Sequence, residues 1–167
     1  MRSKNLKIVI LFVCLVQVSF AQRGRINWTA NGNAYTKIKE GGIVKVDPKT
    51  DAEVVIVRKE QLTLPGATAA MVPQSYTFNG NNTKLLFFTN TAKVWRYNTR
   101  GDYWVLDIIS NKLKQLGKSL PAQSLMFAKF SPDSRKCAYV SEHNLYLEDI
   151  VSGAITKLTR DGSRKLI

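Results

Sequence analysis

The stretch Phe130-Ser131-Pro132-Asp133-Ser134-Arg135-Lys136-Cys137-Ala138-Tyr139-Val140-Ser141-Glu142-His143-Asn144-Leu145-Tyr146-Leu147-Glu148-Asp149 decides how the chain is to be read. An aromatic residue leads into a tight polar turn, where Pro132 fixes φ and Asp133 can bond the backbone. A β-branched and aromatic run follows, then a short turn at His143-Asn144, then a second apolar run that ends on an Asp. Two strands joined by a hairpin explain this pattern; a helix does not.

The same order of features recurs twice upstream. Trp28-Thr29-Ala30-Asn31-Gly32-Asn33-Ala34-Tyr35 leads to Val46-Asp47, and Phe78-Asn79-Gly80-Asn81-Asn82-Thr83-Lys84-Leu85 leads to Leu106-Asp107. The aromatic anchors are 50 and 52 residues apart. A period of about 40–50 residues with roughly four strands per unit is that of a β-propeller blade. One small twisted sheet cannot cover both of its faces, whereas stacked sheets bury face against face. The predicted fold is therefore all-β: consecutive four-stranded blades of an incomplete propeller. The expected strands are Ile43–Val46, Glu53–Val57, Lys84–Thr89, Tyr103–Ile108, Leu125–Phe130, Lys136–Ser141, Asn144–Asp149 and Ile155–Leu158. The expected blades are residues 22–75, 76–125 and 126–167, with the proline-flanked run 64–73 as a connection between the first two.

Composition supports a folded, exported chain. The 167 residues are 44% hydrophobic, with ten Gly and five Pro, so the chain is neither disordered nor of low complexity. Arg2, Lys4 and Lys7 precede an apolar run from Ile8 to Phe20, and Ser19 and Ala21 are small residues placed as in a cleavage site. Residues 1–21 read as a secretory signal peptide cut before Gln22. The apolar run is too short for a membrane anchor, so no stable span is expected after cleavage, and the product would be periplasmic, cell-surface or extracellular. Cleavage removes Cys14 and lowers the net charge from +13 to +10. The remaining Cys137 lies in an apolar series and reads as a buried hydrophobe. One His and no Cys-x-x-Cys pair argue against a metal site. Lys and Arg are scattered through every repeat, so their charge reads as a solvated surface and not as a nucleic-acid site.

One irregularity points to function. The distance from anchor to Asp is 19 residues in the first and third segments but 29 in the second. The ten extra residues fall around 90–101 and contain Trp95, Arg96, Tyr97 and Arg100. Insertions in repeat proteins map to loops on one face, often the binding face, and a guanidinium offers a planar fork to carbonyl or carboxylate oxygens.

The series Val94-Trp95-Arg96-Tyr97-Asn98, Asp102-Tyr103-Trp104-Val105-Leu106-Asp107, Phe130-Ser131-Pro132-Asp133 and Ala138-Tyr139-Val140 with Asn144-Leu145-Tyr146 resembles the N-terminal propeller of dipeptidyl peptidase IV, a branch of the prolyl oligopeptidase family of serine peptidases. The resemblance runs from about Trp28 to Ile167. It implies an eight-bladed propeller capping a C-terminal α/β-hydrolase domain that removes dipeptides from peptide N-termini, with no cofactor. It implies that Arg96 helps hold a substrate carbonyl oxygen, with Trp95 and Tyr97 as its packing neighbours. The partners it implies are a peptide with a free N-terminus, the hydrolase domain, and a second copy of the parent in a homodimer. The sequence departs from the family's usual pattern after Arg96, where Tyr97-Asn98 stand in place of a His-Ser or similar pair.

The family's catalytic Ser, Asp and His have no counterpart here, and no Gly-x-Ser-x-Gly elbow occurs in the sequence. His143, the only histidine, sits in a predicted turn beside Glu142 and has no nucleophile to serve. The chain is expected to be an N-terminal fragment, inactive alone, contributing substrate gating and one anchoring Arg to a parent peptidase. The alternative is a non-catalytic envelope propeller that binds a protein partner.

Overall fold

Leu85 and Leu86 are neighbours in one strand and bury themselves on opposite sides of the same sheet. That alternation organises the molecule. The computed structural model describes residues 26–64 and 66–163. The expected signal peptide lies outside the described residues, as do residues 164–167.

Twelve strands follow one another: β1 (Asn27–Trp28), β2 (Tyr35–Lys39), β3 (Gly42–Val46), β4 (Glu53–Val57), β5 (Ser75–Phe78), β6 (Lys84–Val94), β7 (Tyr97–Asp107), β8 (Lys112–Gln115), β9 (Leu125–Phe130), β10 (Lys136–Ser141), β11 (Asn144–Asp149) and β12 (Ile155–Lys157). The one helical turn among the described residues is 3₁₀, at Lys59–Leu62, after β4. All strand pairs are antiparallel. The first sheet has the order β1-β2-β3-β4. The other eight strands join in one sheet, in which β5-β6-β7-β8 and β9-β10-β11-β12 are each a four-stranded meander. The join is short: Arg100 and Gly101 of β7 lie opposite Met126 and Leu125 of β9.

Each anchor ends the first strand of its meander, and the turn after it is built the same way three times. Thr29, Asn79 and Ser131 donate their backbone N–H to the carbonyl five residues on, at 2.9, 3.0 and 2.8 Å. Their side-chain oxygens accept the N–H of that same residue, at 3.2, 2.8 and 3.0 Å. Two residues after each stands an Asn or Asp whose oxygen accepts a further turn N–H (Asn31, Asn81, Asp133). Three residues after each, the chain enters the left-handed region, at Gly32, Asn82 and Ser134, a conformation that small or Asx residues adopt most readily.

The recurring Asp has an equally local cause. Asp107 and Asp149 end the third strand of their meanders and Asp47 directly follows its own, and each turns an oxygen onto following N–H groups, of Lys49 for Asp47, of Ser110 for Asp107, and of Val151 and Ser152 for Asp149. Four residues after each Asp the backbone is left-handed, at Asp51, Asn111 and Gly153. These are Asx turns, and they set the hairpin from the third to the fourth strand.

Two cores separate the three meanders. Ile43, Val57 and Leu62 pack with Leu85, Phe87, Leu106 and Tyr76 between the first and second. Leu86, Tyr103 and Val105 pack with Leu125, Cys137, Tyr139, Tyr146 and Ile150 between the second and third. The middle sheet is thus apolar on both faces. Fully burying a side chain such as Leu85 or Phe87 contributes about 1.5–3 kcal/mol, and neither face could be left to water at that cost. Tyr76 fastens the first interface further by donating its hydroxyl to Thr36 Oγ1 at 2.8 Å.

Candidate functional site: the arm of the second meander

The ten extra residues are not a loop. β6 and β7 each run for 11 residues and pair nearly to their ends, from Lys84 opposite Asp107 to Val94 opposite Tyr97. Beyond Ala92 and Arg100, where the pairing to β9 stops, this ribbon overhangs the rest of its sheet as an arm. Two irregularities shape it. Asn90 and Thr91 together face Gly101, and Thr99 is an extra residue between Asn98 and Arg100. Such bulges bend a ribbon and raise its twist. Gly101 is required at the first: a Cβ there would lie 2.7 Å from both Phe88 Cε2 and the Thr89 carbonyl oxygen.

The arm ends in a two-residue turn, Trp95-Arg96. Trp95 has φ +58°, at a hairpin position that usually selects Gly, Asn or Asp. An aromatic residue held left-handed costs on the order of 1–2 kcal/mol, and conformations of this cost gather at functional sites. Trp95 is 94% exposed and Tyr97 73%, and Arg96 is exposed as well. Among the described residues Arg96 makes no hydrogen bond or ion pair. The three residues expected as a site thus share one exposed tip, with the guanidinium's donors unpaired among the described residues.

Polar side chains at the root, which the sequence does not single out, hold the arm. Asp102 Oδ2 accepts from Asn90 Nδ2 at 2.7 Å, and Asp102 Oδ1 accepts from the backbone N–H of Gln123 at 2.8 Å. Gln123 Nε2 donates to Asn90 Oδ1 at 2.7 Å and completes a ring of three residues. On the other strand edge Asn98 donates to Thr91, whose hydroxyl bonds Gln74. The only hint in the sequence is the polar residues that interrupt apolar runs on both sides of Gly101.

Residues 79–167 match the family model for the dipeptidyl peptidase IV (DPP IV) N-terminal region. The chain belongs to this family. Dipeptidyl-aminopeptidase B of Aspergillus niger is 28% identical over 135 residues, which are 81% of this chain and 15% of that protein. The probable dipeptidyl-aminopeptidase B of Neosartorya fischeri is 33% identical over 97 residues, 58% of this chain and 11% of that one. Dipeptidyl peptidase 4 of Porphyromonas gingivalis shares the fold, with a TM-score of 0.71 at 22% identity over 84% of this chain and 20% of that one. The chain thus spans about 9–15% of the length of the curated relatives it matches.

Elsewhere in this DPP IV-type N-terminal region the candidate chemistry is structural. Glu142 and His143 form the two-residue turn between β10 and β11, both with positive φ, and both are exposed. Cys137 is fully buried. Burial, reinforced by the nearby Glu148 carboxylate, pushes its thiol up to about 12, which makes it inert as a nucleophile at neutral pH. Among the described residues no group of three or more His, Cys, Asp or Glu could hold a metal ion. Nor is any helix among them long and apolar enough to cross a membrane.

Proposed function

We propose that this chain is the N-terminal propeller portion of an exported dipeptidyl-peptidase IV-type serine peptidase. In this reading it gates access of peptides with free N-termini to a C-terminal α/β-hydrolase domain, and Arg96 anchors a substrate carbonyl oxygen. The observation that carries the reading is the placement of Arg96 at the tip of an 11-residue hairpin ribbon that overhangs its own sheet, with no partner among the described residues. A guanidinium left unpaired on a projecting arm is available to a ligand's oxygen, and a charge-assisted bond there would place the scissile bond.

The test is Arg96→Ala in the full-length peptidase. The expected result is a fall in kcat/KM of about 1–3 kcal/mol, the cost of one unmade charge-assisted bond, with only partial recovery in Arg96→Lys because an ammonium lacks the planar fork. Unchanged kinetics would remove Arg96 from the site. A second reading, a propeller that binds a protein partner, is favoured by the 94% exposure of Trp95. In that case Trp95→Ala would abolish partner capture and Arg96→Ala would leave peptide turnover untouched.

A further inference from the structure

We propose that Asp102 is a positioning residue for the arm: its carboxylate sets the direction in which the Trp95-Arg96 tip projects. The kinetic part of this inference rests on the reading of Arg96 as a substrate anchor; the structural part does not.

The physical problem is at the root. Past Arg100, where pairing to β9 stops, the arm is a two-stranded ribbon, and an isolated pair of strands is marginally stable in water. It also leaves its sheet through a bulge, where the ladder is interrupted and the bending direction is not fixed by strand pairing alone. At about 3.3 Å per residue the tip lies roughly 20 Å from Asp102, so a rotation of a few degrees at the root moves the guanidinium by an ångström or more. A displacement of that size can cost about 10²-fold in rate when a group positions substrate.

Asp102 is placed to remove that freedom. Its two oxygens reach in different directions: Oδ2 to Asn90 in the bulge of β6, and Oδ1 to the N–H of Gln123 in the segment that leads into β9. The Gln123–Asn90 bond closes the ring. Asn90 and Gln123 both have positive φ, at +46° and +56°, so the ring also holds two backbone conformations that the residues would not choose by themselves. Two segments, 12 and 21 residues away from Asp102 in the chain, are thereby fixed around one carboxylate. Immediately beside it, Arg100 and Gly101 make the pairing to Met126 and Leu125 that joins the second and third meanders. The arm's aim is thus referred to the third meander as well as to its own sheet.

Asp102→Ala removes the ring, whereas Asp102→Asn can keep it. With the side-chain amides of Asn90 and Gln123 turned over, the amide introduced by Asp102→Asn would donate to Asn90 Oδ1 and Asn90 would donate to Gln123 Oε1. The introduced carbonyl oxygen would still accept the Gln123 N–H. The experiment compares both variants in the full-length protein by hydrogen–deuterium exchange and by peptide turnover, alone and combined with Arg96→Ala. Expected are faster exchange across residues 92–99 and about a 10-fold lower kcat/KM in Asp102→Ala, near-normal values in Asp102→Asn, and no further loss when Asp102→Ala is added to Arg96→Ala. Unchanged exchange overturns the proposal, and so does an equal kinetic loss in the Arg96→Ala background, which would place the action of Asp102 elsewhere. If Arg96→Ala alone has no effect, the anchor reading falls and exchange alone decides: faster exchange upholds Asp102 as the residue that aims the arm, and unchanged exchange rejects it. Should Asp102→Ala fail to fold, Asn90→Gly opens the same ring at a position where glycine accepts the backbone angle, and is judged by the same criteria.

Discussion

Tyr139 donates its hydroxyl to Glu148 Oε2 at 2.8 Å, with both residues almost wholly buried. They sit on adjacent strands, β10 and β11, on the face that meets the second meander. The same carboxylate oxygen accepts the backbone N–H of Gly117 at 2.7 Å, from the segment after β8. Glu148 is therefore a latch between two meanders, a buried carboxyl group held by two donors and, among the described residues, by no salt bridge. Burial and the neighbouring carboxylate both push the Tyr139 phenol well above its ordinary range, so it remains a donor. Glu148→Ala would orphan a buried N–H and a buried hydroxyl at about 1–3 kcal/mol each. A loss of about 3 kcal/mol by urea unfolding is expected, with smaller losses for Tyr139→Phe and Glu148→Gln, which each preserve part of the arrangement. A Glu148→Ala chain within about 0.5 kcal/mol of the parent would refute the latch.

At the root of the arm, the closest approach of chain to chain is Gly101. The missing Cβ would lie 2.7 Å from the Thr89 carbonyl oxygen and 3.1 Å from Thr91 Cα, and backbone atoms cannot step aside as a side-chain end can. Gly101→Ala is expected to destabilise by about 1–3 kcal/mol, as overpacking does. It should also straighten or re-register the arm. The measurement is amide chemical shifts or exchange over residues 89–102. If both stability and the arm are unchanged, the bulge can relax and Gly101 is not its determinant.

How much of this is legible in the sequence depends on the range of each interaction. β4, β9, β10 and β11 begin and end where the sequence pattern places them, because their boundaries are made by turns whose bonds close within a few residues of the strand. β8 (Lys112-Leu113-Lys114-Gln115) escapes the pattern, since an outer strand paired on one edge carries a single apolar side chain. β2 (Tyr35-Thr36-Lys37-Ile38-Lys39) carries two lysines and a threonine among its five residues and escapes it likewise. β1 and β5 are hidden because the aromatic anchors, which read as the openings of the repeats, in fact close those strands. In the arm, the excess length and the Trp95-Arg96 pair can be counted in the sequence. The polar ring at its root cannot, because Asp102 meets Asn90 and Gln123 across 12 and 21 residues. The join of β7 to β9 has the same long-range origin.

The turn carboxylates predict an acid limit to stability. Asp107 lies below the ordinary Asp value of 3.8, held there first by the Ser110 N–H, with help from the Ser110 hydroxyl and from Lys84, whose Nζ is 3.6 Å away. Asp133 is lowered by the Ser131 hydroxyl and then the Arg135 N–H, and Asp149 by the N–H and hydroxyl of Ser152. A carboxyl whose folded value lies below its unfolded one stabilises the fold fully above the unfolded value, and loses that contribution as pH falls through the folded one. The urea midpoint should therefore hold from pH 7 to about 5 and decline below pH 3.8. Asn31 and Asn81 already supply the acceptor that Asp133 supplies in the third meander. Asp133→Asn should therefore leave the midpoint at pH 7 in place while flattening the acid decline, and an acid profile identical to the parent's would show that this turn carries no pH dependence.

Cys137 gives a direct readout of whether the second interface opens. Its side chain is fully buried between the second and third meanders, and both burial and the Glu148 charge oppose the thiolate, which is the reactive form. From Gln22 onward the chain has no other cysteine. Expressed from that residue, it should react slowly with a disulfide reagent at pH 8, at a rate that rises with urea in step with unfolding. Opening is then the rate-limiting population, and the ratio of native to unfolded labelling rates reports its free energy. Glu148→Ala should speed labelling in two ways, by weakening the interface and by removing the nearby negative charge. The first effect grows with urea up to the transition, and the second does not. Fast labelling of the native parent chain, insensitive to urea, would mean that β10 is accessible and that the two meanders do not pack through this face.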